Sequence, residues 1–457
     1  MATLPPRGQT PASSLPQPPC GLATLLGATE RAMREAPGDL LRVPTRVRSL
    51  VEYEGLFGGP GTPALDVDLH RGPDGRPRAT LRPPPGLPLL HATVRLFFAQ
   101  GGEACDIVSV GPSSAPPTLD DFLQALAALP LPRRECSLLL APEAMHLDRA
   151  AQGRLAGALL AHAAASGLQF VLLDLPGGEA PLDAATLAAG RAVLDSPHGA
   201  FGALHGPRLR IPLALPLPEA ERRVRVWRGS GPAVGLPALR RTDPAGHAAV
   251  LQCLAGARHA VPASALVAGL QARGDRELGV WKALSGLPLP DEVEPVQAFS
   301  AAQAEALAAD PVGGRAINLV RSVPGRGPRL WGARTLADRE PESRYVPVRR
   351  LLAELTAALR RRFDLLSRQP RRRGAGATPP LWQQLAEQAD LELHGWWDRG
   401  ALLGAKPAEA YFVRCGPGLT QTEAETRAGR HTLLVGLAVL KPGEFQVLRL
   451  VWPDAAA

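Results

Sequence analysis

The chain is short of lysine, aromatic residues, cysteine and long apolar runs, and each shortage excludes something. Three lysines (Lys282, Lys406 and Lys441) stand beside forty-eight arginines. A skew of that kind reflects a GC-rich genome, so the arginine count alone is not a functional signal. Five cysteines (Cys20, Cys105, Cys136, Cys253 and Cys415) are odd in number, scattered and without a CxxC pair. They exclude a disulfide framework and a cysteine zinc site, and point to reduced thiols in a cytoplasm. The strings nearest to a membrane span are broken by His162 and Asp174, and the N-terminus has no basic-then-apolar signal pattern. The expected location is therefore the cytoplasm.

Catalytic patterns are also missing. HExxH, GxxxxGK[ST], GxSxG and a strand-following GxGxxG do not occur. His70 follows Asp66 and Asp68 in DVDLH, a pattern better read as a solvated strand edge than as a metal site. His247 and His259 lack a second ligand pair, and Cys105 needs no role beyond that of a small buried hydrophobe. We expect no enzyme, no cofactor and no metal.

What is abundant is proline (48) and glycine (47), in a chain of 457 residues whose hydrophobic share of 45% is ordinary for a globular protein. That length predicts two or three domains. The net charge of +8 is concentrated. From Arg349 to Arg373, nine arginines face only Glu354 and Asp364, so one basic element is the thing to explain.

Along the chain, residues 1–40 read as a flexible segment with one short helix in LATLLGATERAMREA. Residues 41–254 read as an α/β domain with a mostly parallel sheet, because apolar strands (CSLLLAP, LQFVLLDLP) alternate with amphipathic helices. TLDDFLQALAA is a helix capped by Thr118. RLRIPLALPLPEAE reads as an edge or connector. Residues 255–457 read as a second α/β domain with a mixed sheet and a C-terminal strand.

Three assembly features stand out. In the helix from about Val346 to Arg368, Leu352, Leu355, Leu359, Phe363 and Leu366 form a core stripe at about 100° per residue. Arg350, Arg361 and Arg368 project on the opposite side, and with Arg349, Arg360, Arg371, Arg372 and Arg373 would make an exposed basic ridge. The last strand, with Phe445, Val447, Leu448, Leu450 and Trp452, could pair with a neighbouring subunit's sheet edge. In Ile317–Leu336 (INLVRSVPGRGPRLWGARTL), a Pro-Gly-Arg-Gly turn needs its glycines for positive φ, and Trp331 is a core anchor with Arg326 and Arg334 nearby.

Ordered blocks in the second half resemble the contractile tail sheath family of phages, bacteriocins and extracellular injection systems. Asp275, Arg276, Gly279, Val280, Trp281, Lys282 and Ala283 match its Asp-Arg-x-x-Gly-Val-Trp-Lys-Ala turn. Asn318, Arg321, Pro324, Gly325, Arg326, Gly327, Trp331, Gly332 and Arg334 match its next block, and WWDRGALLGAKPAEAYFVRC and LKPGEFQVLRLVW continue it. The resemblance covers roughly residues 255–457, with looser matches at EYEGLFGG and RLFFAQGG. It implies a structural subunit that assembles with copies of itself or sheath paralogues around an inner tube protein, contacts baseplate proteins, and rearranges to drive the tube. The basic ridge would then grip the tube. The family's two opening strands are not visible in residues 1–45, which implies a divergent member lacking the N-terminal arm, used in the ring nearest the baseplate. A membrane partner is not expected. The alternative is a nucleic-acid-binding protein using Arg349–Arg373.

Overall fold

The computed structural model describes residues 21–60, 65–82, 89–132, 135–177, 181–212, 223–310, 313–368 and 379–453. In chain order its first half comprises β1 (Leu22–Thr29), β2 (Thr45–Val47), α1 (Leu50–Phe57), β3 (Leu65–Arg71), β4 (Pro77–Leu81), α2 (Leu90–Ala99), β5 (Cys105–Pro112), α3 (Leu119–Ala128), β6 (Ser137–Leu140), α4 (Arg149–Ser166), β7 (Gln169–Asp174), α5 (Ala184–Ala192) and β8 (Gly202–Gly206). There follow β9 (Leu209–Pro212), β10 (Val224–Trp227), β11 (Val234–Gly235), α6 (Leu236–Thr242), α7 (Pro244–Ala255), β12 (Arg258–Val261), α8 (Ala263–Glu277), β13 (Glu294–Pro295), α9 (Ala301–Ala308), β14 (Ile317–Val323) and β15 (Gly327–Trp331). The last stretch holds α10 (Val346–Ser367), α11 (Leu381–Asp398), α12 (Pro407–Ala410), β16 (Tyr411–Cys415), α13 (Glu423–Arg427), β17 (His431–Lys441) and β18 (Glu444–Trp452).

An eight-stranded sheet in the order β15-β14-β8-β7-β6-β1-β5-β2 forms the body. Its six inner strands are mutually parallel, while β2 and β15 are antiparallel edges. Crossover helices cover both faces, as a parallel sheet requires. Successive residues of β1 divide between the two covers. Leu25 belongs to the core that holds Phe57, Phe97 and Leu266, and Leu26 to the one that holds Phe122, Leu160 and Leu204. This corrects the helix expected in LATLLGAT. A strand buried on both faces is apolar at every position and carries no period-2 signal. A strand therefore does precede the EYEGLFGG turn; residues 1–20 lie outside the described residues.

The boundary expected at 254/255 does not separate two cores. α8, α9, β14 and β15 all come after it and complete the same sheet and the same two hydrophobic clusters. The separate C-terminal unit begins at α10. There Leu355, Leu359, Phe363, Leu385, Leu393, Val435 and Leu437 build a third core under the sheet β16-β17-β18. A fourth, smaller core belongs to an appended unit of two chain segments, in which the sheet β11-β10-β3-β4 packs Val67, Leu69, Val224 and Val226 against Leu239 and Val250 of α6 and α7. Most of the connector expected in RLRIPLALPLPEAE lies outside the described residues.

Local chemistry explains the joints. Thr118 and Asp121 form a reciprocal capping box at the start of α3. Glu143, in a short 3-10 turn after β6, accepts backbone N–H groups from Ala28 (2.5 Å) and Leu89 (2.8 Å), tying the end of β1 to the start of α2. Asp174, at the end of β7, accepts from the backbone N–H of Ser264 (2.8 Å) and from its hydroxyl, capping the first turn of α8.

Candidate assembly interfaces

α10 starts with Pro347 in its first turn, where the missing N–H removes no intrahelical bond. The expected stripe is buried at Leu352, Leu355, Leu359 and Phe363, with Leu366 partly buried beside it. The opposite side is not a free ridge. Near the helix start it faces the α/β body, so α10 lies between two cores. Arg350 is 9% exposed, with its guanidinium held bidentate on Asp275 (2.7 Å for one contact) and bonded to Gln271. Arg350 is thus corrected from exposed ridge to buried ion pair. Arg349 stacks over the Phe201 ring at 3.9 Å. Arg361 pairs with Glu354 at 3.2 Å, and Arg362 pairs with Glu392 of α11. Arg360 is half-buried and Arg368 exposed. Arg371, Arg372 and Arg373 lie outside the described residues.

α11 packs beside α10 and turns one carboxylate, Glu392, to its basic run. It carries Glu387, Asp390, Glu392 and Asp398 and no lysine or arginine. Arg349, Arg350, Arg361 and Arg362 of the basic run are thus taken up within the chain, by the Phe201 ring, Asp275, Glu354 and Glu392, and the nucleic-acid reading finds no support.

The motif residues gather at the seam between body and C-terminal unit. Asp275, Cys136, Trp281, Arg350, Glu354 and Trp396 line a cleft of about 370 Å³. Trp281 meets Trp396 edge to face at 5.8 Å and packs into the C-terminal core. Gly279 has φ 93° and lies under the Trp281 ring, where a Cβ would come within 2.4 Å of ring carbon. Arg276 donates to the Gly101 carbonyl at 3.0 Å and pairs with Glu103 at 3.1 Å. Burial pushes the Asp275 carboxyl up, against the opposing pull of Arg350.

In the second motif, the Asn318 amide donates to the carbonyls of Leu204 (3.1 Å) and Arg334 (2.8 Å), and its oxygen accepts from Arg334 N–H (2.9 Å). It clasps β14 to β8 and to the segment after β15. Gly332 has φ 105°, and a Cβ there would stand 2.7 Å from the Asn318 oxygen. Gly325 and Gly327 adopt positive φ (68° and 70°), as the Pro324-Gly-Arg326-Gly turn requires. Trp331 packs against the body's core under Arg321 at 5.0 Å. Arg334 instead pairs with Asp338 at 2.5 Å, and Arg326 is exposed at the turn. These motif residues act as joints, with no reacting group among them.

β18 pairs with β17 along one side and ends its sheet, so among the described residues its other edge carries no strand. Leu450 is buried and Trp452 stacks edge to face on Phe363 at 6.0 Å, while Phe445 stacks on Phe412 at 5.2 Å. Leu448 packs partly against the core, and Val447 is 57% exposed. Sequence reasoning missed the buried carboxylates Glu143 and Asp174, because a lone acidic residue at the end of an apolar strand or in the turn after one gives no signal. In DVDLH, Asp66 bonds Arg225 and Trp227, and Asp68 bonds Arg82. No group of three or more candidate metal ligands occurs among the described residues.

No family model matches the chain, and no curated protein does. Solved structures do. A chain of the anti-feeding prophage (AFP) baseplate in the contracted state is 25% identical, with a TM-score of 0.62, over 99% of this chain and 98% of that one. A chain of the AFP helical sheath in the contracted state is 24% identical (TM-score 0.61, 98% of each). One from the sheath complex of the extracellular contractile injection system PVC is 21% identical (TM-score 0.59, 99% of each). The chain has the tail-sheath fold. The likeness runs through the parallel body, the appended unit and the C-terminal unit alike. The sheath fold thus extends well beyond the residues 255–457 that carried the sequence resemblance. No helix among the described residues is long and apolar enough to cross a membrane.

Proposed function

We propose that this chain is a sheath or sheath-like ring subunit of a contractile injection apparatus, built into a phage tail or phage tail-like particle after assembly in the cytoplasm. The observation that carries this is the likeness to chains of AFP and PVC particles over 99% of the chain, at TM-scores of 0.59 and 0.62. The motif residues support it, because they hold the joints of the fold. The role is mechanical. Subunits assemble around an inner tube in an extended, metastable arrangement and pass to a compact one, and the difference between two packings of one chain supplies the work. The open edge of β18 is suited to pair with a strand of a neighbouring copy. Tube contact falls to the C-terminal unit, where Arg368 is exposed. Each such rim contact is worth about 0.2–1 kcal/mol, so holding the tube depends on repetition along it.

An AFP baseplate chain and an AFP helical-sheath chain are matched equally well, so this reading covers both the ring nearest the baseplate and the bulk sheath. Co-expression with the cognate tube and baseplate proteins, followed by negative-stain microscopy, tests this. Rings confined to the baseplate end are expected for a terminal subunit and long tubules for the bulk sheath. A chain that stays monomeric with those partners contradicts the proposal.

A further inference from the structure

The appended unit carries a charge that the basic run on α10 does not explain. On the flat face of its sheet the charges cancel: Asp66 holds Arg225 at 2.8 Å and Trp227 at 3.0 Å, and Asp68 holds Arg82 at 2.8 Å. The excess collects at one end. The β3–β4 hairpin brings Arg71, Arg76 and Arg78 there, with Asp74. β10 runs parallel to β3 and ends beside it, delivering Arg228, which reaches Asp243 at 2.6 Å. That contact also fixes the end of α6, whose last turn presents Arg240 and Arg241. Six arginines, all exposed, thus surround two aspartates. Of the six, Arg78 pairs with Asp74 at 3.5 Å and Arg228 with Asp243, while Arg71 donates to the Gly75 carbonyl.

The complementary surface is on the same chain but on a different core. On α11, Gln383, Glu387, Asp390, Leu391, His394 and Asp398 fall within about 100° of arc, opposite the buried Leu385, Ala389, Leu393 and Trp396. Glu387, Asp390 and Asp398 are exposed, and Leu391 is 61% exposed among them.

We infer that the arginine-rich end of the appended unit docks on the acidic outer stripe of α11 in a second copy of this chain. A contact between two different patches of identical subunits is heterologous, and it propagates into rings or open helices. Arginine forks bind carboxylates bidentately, and like charges brought together instead cost several kcal/mol. The inference rests on the self-assembly proposed above and names the surfaces that carry it.

Charge exchange in the full-length chain, co-expressed with its tube protein, is the test. Assembly is read by sedimentation and negative stain, and folding by circular dichroism. Arg76→Glu/Arg240→Glu/Arg241→Glu should raise the concentration for half-assembly by about tenfold or more. Adding Glu387→Arg/Asp390→Arg/Asp398→Arg to the same chain should restore it to within about threefold. The milder Arg76→Gln/Arg240→Gln/Arg241→Gln covers any loss of fold and should weaken assembly in the same direction. If the wild type assembles and the reversed variants assemble equally well, the docking inference is overturned and the sheath reading stands. If reversal impairs assembly but the six-fold exchange does not restore it, α11 is not the partner. If the wild type does not assemble at all, the sheath reading itself fails.

Discussion

Arg350 enters the interior only because Asp275 and Gln271 receive it there. Removing one side of a buried pair leaves an uncompensated charge, so Arg350→Ala or Asp275→Ala should cost about 3–5 kcal/mol. Replacing both together with leucine should cost much less. Urea midpoints of the four proteins check this, and a single variant that unfolds like the wild type would count against the pair. Glu143 makes a second residue-scale prediction. Glu143→Ala leaves buried N–H groups of Ala28 and Leu89 without an acceptor, a loss of about 1–3 kcal/mol for each group, and Glu143→Gln, which keeps one acceptor oxygen, should lose less. The pH dependence follows from two buried groups. Burial lowers His205 from 6.5 to about 4, so its contribution is present above pH 6.5 and is lost as pH falls through 4. Burial raises Asp174 from 3.8 to about 6 against the opposing Ser264 bonds, so its contribution is present below pH 3.8 and is lost as pH rises through 6. Between these limits the two oppose each other. His205→Gln should make stability fall less on acidification from pH 6.5 to 4, and Asp174→Asn should make it fall more. Denaturant midpoints across that range are the measurement.

At the scale of elements, β18 should tolerate change on its open side. Val447→Glu, at an exposed position, should leave the monomer's melting temperature nearly unaltered but reduce assembly if a neighbour covers that side. Melting curves beside sedimentation profiles separate the two effects. Elements also show what a sequence reader can see. The helix α3 and the strands β6 and β7 were legible, because a capping residue and alternation of apolar strands with amphipathic helices are local signals. β1 was not, since Leu25 and Leu26 face different cores and the run has no period. α10 was legible as a helix but its arginine side was not. A helical projection identifies one core stripe, and it cannot know that the body lies against the other side. The acidity of α11 was readable in LWQQLAEQADLELHGWWD, yet only packing brings Glu392 to Arg362 and pairs that part of the basic run within the chain.

For the molecule as a whole, the motif blocks pointed to the sheath family while the domain boundary expected at 254/255 did not hold. β14 joins β8 across more than a hundred residues of intervening chain, and no local pattern announces such a return. The same long-range pairing explains why the motif residues sit where they do. Asn318 and Gly332 lock the returning strands, and Asp275 and Trp281 lock the C-terminal unit onto the body. The proposed change of neighbours would require a subunit that keeps its own shape, and joints of this kind provide it. The most direct measurement is electron microscopy of the chain co-expressed with its cognate tube and baseplate proteins. The account predicts rings or sheath-like cylinders of this chain around the tube. Tubes that form and remain bare, with this chain monomeric in solution, would contradict it.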